Sequence, residues 1–233
     1  MKKEGNVLVA LSSNYATPTA VQSLLVELDI HIPSDKGALI VDHFNYDPTS
    51  AADKHDVLLL PYPKSVRPDV KNYFAGEGLI AVPRAIGQTL GNESPLIQPI
   101  LRAPSTAYSY NPKDETEVAE DPFGTGSQLN IVSSMQAYNS ARLTVVGSAE
   151  MLQNGWFAEK TTFHGKAVTT ANREFAHKVT AWTFKETGVL KIGKLLHYHD
   201  EGVSKKLNAS LAVPGHDPTI YRIKEDVVRI SLL

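Results

Sequence analysis

The segment 141–193 constrains the fold most, because it has the pattern of one complete strand–helix–strand unit. Its first part, 142–148, is a short β-branched run that closes with Gly and Ser, as a buried strand does. The segment 171–187 then has the apolar spacing of an amphipathic helix, and Gly188 supplies a stop. A second strand is predicted at 189–192, which completes the unit.

The predicted helix has one strongly apolar face. Phe175, Val179 and Trp182 follow each other at helical spacing, so their side chains project from the same side. A helix with such a face needs a sheet to cover. We therefore predict an α/β domain of packed layers with a mostly parallel sheet.

Apolar runs between turn residues predict further strands upstream. They lie at 6–11, 38–41, 56–60, 78–82 and 129–132, while 96–101 fits either a helix or a strand. Thr17 and Pro18 predict the cap and first residue of a helix. The run at 6–11 is continuously apolar, as in an interior parallel strand, so we expect other strands to precede it in the complete protein.

The chain changes character after His199. The segment 200–208 is a polar linker, and 219–233 alternates between apolar and polar residues as a strand does. We therefore predict two domains, an α/β domain at 1–199 that lacks its first strands, and at 200–233 a linker with the first strands of a β-rich, sandwich-like domain.

Composition excludes several classes of function. The formal net charge of the 233 residues is −2, which gives no basic footprint for nucleic acid. Cysteine is absent, so disulfides, thiolate metal ligands and cysteine nucleophiles are excluded. No apolar run reaches the ~20 residues that span a bilayer.

The densest polar cluster is Asp-His-Phe-Asn-Tyr-Asp at 42–47, directly after a predicted strand. Asp42 beside His43 could orient a general base. Adjacent residues on an extended segment point to opposite faces, however, and Asp and Asn commonly bond their own backbone in turns. We therefore interpret Asp42, His43, Asn45 and Asp47 as an interface or structural loop.

Other candidate sites are weaker still. A zinc site could use His197, His199 and Asp200, with His216 downstream, because these residue types bind zinc. Their spacing matches no recognised zinc motif, so we favour a structural or solvent-exposed role for these histidines over a metal site. Ser148 lacks the complete G-x-S-x-G pattern of a nucleophile elbow and is better placed as a helix cap. We predict no catalytic residue, no cofactor and no metal.

Two segments match the pattern for N-glycosylation, at Asn92 and Asn208. Matches of this length occur by chance in a chain of this composition. They permit a secretory location without arguing for it.

Four segments stand out in order along the chain, at 40–47, 104–109, 139–148 and 182–193. Together they resemble the family of the non-catalytic 48-kDa subunit of the dolichyl-diphosphooligosaccharide–protein glycosyltransferase, or oligosaccharyltransferase. The resemblance covers nearly the whole chain. It implies a Rossmann-like lumenal domain followed by a β-rich domain, and an accessory role in a complex that N-glycosylates nascent proteins in the endoplasmic reticulum lumen.

The resemblance also implies partners. These are ribophorin II-like and DAD1-like subunits and a catalytic multi-pass subunit, with membrane association only through those partners or through a C-terminal helix beyond this chain. The family offers no catalytic motif to transfer onto these residues.

Two alternatives stay open at this point. One is an α/β hydrolase- or amidotransferase-like enzyme that uses Ser148 or the pair Asp42 and His43. The other is a sugar-binding module, in which Tyr108, Tyr110 and Trp156 stack on sugar rings, although core packing is the commoner role of such residues.

Overall fold

The structure is a computed structural model that describes residues 5–35, 37–64, 71–91, 95–111, 121–157, 160–163 and 165–190, and the backbone of two strands at 195–199 and 228–232. The chain divides into two compact units, 1–188 and 189–233. This division differs from the predicted boundary at 199/200, because the strand at 195–199 pairs within the second unit.

The first unit is mixed α/β, as predicted. Its strands are β1 (Val7–Ala10), β2 (Ile30–His31), β3 (Leu39–Val41), β4 (Val57–Pro61), β5 (Leu79–Pro83), β6 (Thr89–Leu90), β7 (Ile97–Arg102), β8 (Tyr108–Tyr110), β9 (Asn130–Gln136), β10 (Arg142–Val146), β11 (Lys160–Phe163) and β12 (Lys166–Thr169). Its α-helices are α1 (Thr19–Glu27) and α2 (Asn172–Thr183), and short 3₁₀ turns occupy Gly126–Gln128, Glu150–Leu152 and Asn154–Trp156.

A four-stranded sheet in the order β1-β10-β9-β7 forms the centre of this unit. Strand β1 runs parallel to β10, whereas β10 with β9 and β9 with β7 are antiparallel. The prediction of a mostly parallel sheet is therefore wrong for the described strands. A short turn at 137–141 joins β9 to β10, and a connection this short permits only an antiparallel pair.

Two-stranded pairs surround this sheet: β2 with β6, β3 with β8, β4 with β5, and β11 with β12. The segment 85–86, just before β6, connects β3 and the central sheet through backbone hydrogen bonds. Ile40 donates to the Ala85 carbonyl, Ile86 donates to the Gly147 carbonyl, and Gly147 donates to the Ile131 carbonyl. These bonds connect β3 to the central sheet without a continuous ladder.

The two helices pack into different apolar clusters. On α2, Phe175 and Val179 are fully buried and Trp182 is 9 % exposed, so the predicted face is confirmed. Leu25 of α1 belongs to a second cluster with Leu143 and other residues of β10 and β1. Successive residues of a strand point to opposite faces, which lets β10 serve both clusters.

Strand β1 is the end strand of its sheet in the described residues. Two local predictions are corrected. Helix α1 begins one residue late, with Pro18 rather than Thr17 at the cap position and no side-chain cap. Val189 and Leu190 are not strand, and 191–192 lie outside the described residues. Glycine at 188 has a φ of 67°, so the chain turns there.

A buried arginine joins β10 to the end of α2. The Arg142 guanidinium, in a residue only 2 % exposed, donates to the carbonyls of Trp182, Thr187 and Gly188 at 2.5–2.8 Å. It also lies 4.5 Å over the Trp182 ring and donates to the Gln136 amide oxygen. The positive charge thus meets the negative end of the helix dipole.

Two buried amide side chains replace backbone partners. The Asn172 amide oxygen accepts from the Ala81 N–H at 2.8 Å, and the Asn172 amide nitrogen donates to the Ala81 carbonyl at 2.7 Å, as a neighbouring strand would. The same nitrogen also donates to the Met151 carbonyl. The Gln88 amide donates to the Ile131 carbonyl at 3.0 Å and accepts from the Ser133 hydroxyl at 2.6 Å. The Asn172 amide thus pairs the backbone groups of Ala81, and the Gln88 amide pairs the buried Ser133 hydroxyl, which burial would otherwise leave without partners.

The second unit contains one described pair, β13 (Leu195–His199) antiparallel to β14 (Val228–Leu232). Strand β14 lies within the predicted strand segment 219–233. The polar linker at 200–208 lies outside the described residues.

Gly147→Ala should destabilise the first unit by about 2–3 kcal/mol. A Cβ at this position would clash with the Ile86 carbonyl oxygen and lie 3.1 Å from that of Ile131. The backbone cannot move away easily, because Ile86 donates to the Gly147 carbonyl and Gly147 donates to the Ile131 carbonyl. Urea unfolding measures the change. Gly155→Ala is the matched control, since a Cβ there meets nothing within 4 Å, and equal effects of the two substitutions would contradict the prediction.

Candidate functional site

Asp42 organises the first half of the polar loop at 42–47. Its carboxylate is fully buried and accepts hydrogen bonds from the N–H groups of Phe44 and Asn45, from the Asn45 amide at 3.0 Å and from the Thr106 hydroxyl at 2.8 Å. The loop is thereby fixed both to itself and to the segment that precedes β8. The carboxylate is surrounded by donors rather than free to act as a base.

Asp47 organises the second half in the same way. It is 2 % exposed and accepts from the N–H groups of Thr49 and Ser50 and from the Ser50 hydroxyl. The Thr161 hydroxyl of β11 donates to it at 2.5 Å. A second, distant segment is therefore tied to the loop.

The pKa values of both carboxyl groups lie below 3.8 in the folded protein. For Asp42 burial raises the pKa, but the hydrogen bonds from Asn45, Phe44 and Thr106 together outweigh it. For Asp47 burial likewise raises the pKa, and the bonds from Ser50, Thr161 and Thr49 outweigh it. Hydrogen bonds to the charged form thus keep both groups ionised.

A row of rings lies beside this loop, and we name it the ring stripe: Tyr46, His55, His43, Tyr108 and Tyr110. Successive ring centroids are 4.4, 4.4, 5.9 and 6.2 Å apart. The Nε2 atom of His43 lies 2.9 Å from the Tyr108 hydroxyl. Tyr110 at one end of the row is 46 % exposed, so part of the stripe faces solvent.

The geometry does not assemble the hydrolase site. The hydrogen bonds of Asp42 go to Asn45, Phe44 and Thr106, whereas the ring of His43 bonds Tyr108. Ser148 is 1 % exposed, donates to the Pro83 carbonyl at 2.5 Å, and accepts from the Met151 N–H at 3.3 Å. The serine hydroxyl is thus committed to the backbone. The predicted cap position is corrected, because Ala149 rather than Ser148 precedes the 3₁₀ turn at Glu150–Leu152.

The structure describes only part of the other sequence candidates. His197 and His199 lie on β13, and Asp200, His216, Asn92 and Asn208 lie outside the described residues. Within the described ranges, no three His, Asp or Glu side chains come close enough to hold a metal ion. Nor does any helix in the described part of the chain have the length and apolar character needed to cross a bilayer.

Sequence reasoning missed the distant partners of the loop. Thr106 is 64 positions from Asp42 and Thr161 is 114 positions from Asp47. His55 enters the ring stripe from the turn before β4. No local spacing signals these contacts. The alternation of Tyr108 and Tyr110 on β8 was the one available hint, since residues two apart share a strand face.

Acid should destabilise the fold through Asp42 and Asp47. Because their folded pKa values lie below the unfolded value of about 3.9, their contribution is complete above that pH and is lost as the pH falls through the folded values. In Asp47→Asn the free energy of unfolding should fall by about 2 kcal/mol at pH 7. It should then decline less steeply below about pH 4 than in the wild type.

Thermal unfolding of both proteins between about pH 7 and pH 3 measures this difference. Near-UV circular dichroism at neutral pH serves as the control for an intact fold. Parallel stability profiles for variant and wild type would contradict the assignment.

Comparison with known proteins identifies the family. Residues 1–186 match the family described as OST48, N-terminal domain. The chain is 32 % identical over 204 residues to the dolichyl-diphosphooligosaccharide–protein glycosyltransferase 48 kDa subunit of Caenorhabditis elegans, covering 85 % of this chain and 44 % of that protein. It is 32 % identical to the Drosophila melanogaster subunit of that name, covering 94 % and 48 %.

The subunit named wbp1 of the same glycosyltransferase in Schizosaccharomyces pombe is 30 % identical, with 98 % of this chain and 48 % of that protein covered. A solved structure titled mmIFT52 N-terminal domain is 16 % identical with a TM-score of 0.49, over 81 % of this chain and 68 % of that one. The chain spans about half the length of these curated relatives. By its match over residues 1–186 and by these relatives, the chain belongs to the OST48 N-terminal domain family.

Proposed function

We propose that this chain acts as part of a non-catalytic scaffold subunit of the oligosaccharyltransferase, which N-glycosylates nascent proteins in the endoplasmic reticulum lumen. The observation that carries the proposal is the family match over residues 1–186. The names of the relatives support it, since each is a subunit of a dolichyl-diphosphooligosaccharide–protein glycosyltransferase.

The non-catalytic role is supported by how the reactive groups of the chain are used. Asp42 and Asp47 are each held by several hydrogen-bond donors. The Ser148 hydroxyl is buried against backbone groups. A hydrolase would need a nucleophile within reach of a base, and these contacts leave neither group available.

For the loop at 42–47 we propose a structural role in that subunit. Asp42, Asn45 and Asp47 form the hydrogen bonds that fix the loop, and His43 projects from it toward Tyr108. Asp42→Ala should therefore reduce folding stability and assembly without abolishing glycan transfer by complexes that do form. Loss of transfer per assembled complex, measured on a synthetic acceptor peptide, would contradict this role.

We also propose the finer features of the fold and place in the cell. The first unit would be Rossmann-like in its layering rather than in its strand directions, since α1 and α2 pack into separate clusters that share strand β10. Its place on the lumenal side of the membrane is proposed from the family resemblance alone. The second unit, with its antiparallel pair, would begin a β-rich domain. Ribophorin II-like and DAD1-like subunits and a multi-pass catalytic subunit would be the partners.

Affinity purification of the full-length protein from detergent-solubilised membranes tests the scaffold role. We expect the ribophorin II-like, DAD1-like and multi-pass subunits to co-purify in constant proportion. The Gly155→Ala variant, which alters an open position on the surface, should retain them all. Recovery of the tagged protein without any of these subunits would refute the proposal.

A further inference from the structure

The ring stripe is built by the fold rather than by chance exposure of single aromatic residues. Tyr108 and Tyr110 lie on the same face of β8, and Ser109 between them is buried on the other face. Strand β3 pairs with β8, and His43 follows two residues after the end of β3, against the ring of Tyr108. The loop fixed by Asp42 holds His43 in this place.

The stripe continues through contacts that order its rings. The rings of His43 and Tyr108 lie within 22° of parallel, and the His43–Tyr108 bond adds a polar link at 2.9 Å. His55 packs between His43 and Tyr46 with both centroid distances at 4.4 Å. The binding surface would therefore need little reordering when a ligand arrives, which favours affinity.

The chemistry of the stripe favours one class of ligand. Its side chains present aromatic faces together with phenol and imidazole groups, and none is a lysine, arginine or carboxylate. Nucleic acid would require cationic groups along its path, and an acyl chain would require a continuous aliphatic surface. A pyranose can place its weakly positive C–H groups against the face of an aromatic ring, and its hydroxyls can form hydrogen bonds with the phenol and imidazole groups. An uncharged sugar therefore matches these side chains.

We propose that the ring stripe is a saccharide-binding site for a linear, uncharged oligosaccharide, with Tyr110 and His43 as its exposed contacts. His43 and Tyr110 lie on either side of Tyr108, at ring-centroid distances of 5.9 and 6.2 Å from it, so two sugar units of one chain would contact these two exposed rings. The proposal rests on the geometry of the stripe and does not depend on the proposed function.

Saturation-transfer NMR on the full 233-residue chain, with mannotriose and cellotriose as probes, tests the site. Saturation of the tyrosine ring protons should transfer to the sugar C–H protons of at least one probe. Tyr110→Ala should weaken the binding of that trisaccharide about tenfold, because the variant loses one aromatic contact with the sugar. His43→Ala should weaken it as well, whereas Tyr108→Phe keeps the ring and should weaken it less.

Tyr138→Ala is the matched control, because Tyr138 is a 91 % exposed tyrosine on the turn between β9 and β10. It should bind like the wild type. No transfer to either trisaccharide at millimolar concentration would overturn the site, as would equal losses in Tyr138→Ala and Tyr110→Ala. A third outcome would also overturn the site: the wild type binds no saccharide, and Tyr110→Ala abolishes co-purification of partner subunits. The ring stripe would then be a protein interface.

Discussion

The buried guanidinium of Arg142 is the interaction on which the first unit depends most. Burial lowers the pKa of this group, and its charge is met by backbone carbonyls at the end of α2 rather than by a carboxylate. The helix must therefore end where it does, and the chain must turn at Gly188 to present its carbonyl. The position of Trp182 against the sheet follows from the same contact.

The sequence did not reveal β2, β6, β11 or β12, which have only two residues or are partly exposed. It predicted β1, β3, β4, β5, β9 and β10, because a buried strand is a short apolar run between turn residues and this signal is local. It predicted the α2 face for the same reason: Phe175, Val179 and Trp182 show a helical period. It did not predict the strand directions. Strands β9 and β10 pair antiparallel because a short turn joins them, and the other neighbour of β10 is β1, which lies far away in the sequence. The burial of amide side chains such as Gln88 could not be predicted, because Asn and Gln are also common in surface loops.

The loop at 42–47 shows why a dense polar motif is weak evidence for catalysis. Its two carboxylates lie where an active site would place them, after a strand. Each nevertheless accepts hydrogen bonds from its own loop and one from a distant threonine, Thr106 or Thr161. Only the three-dimensional contacts separate an acid that reacts from an acid that holds a loop in place. Membership of a family of glycosyltransferase subunits is compatible with the second use.

The Asn172 side chain has a consequence for how the first unit opens. One amide spans the start of α2, the outer edge of β5 and the turn that contains Met151. If the first turn of α2 frayed, the N–H and carbonyl of Ala81 would lose their partners in the interior of the protein, where water is scarce. Helix starts usually exchange their amide hydrogens early, but here the helix, the strand and the turn should open together, as one cooperative segment.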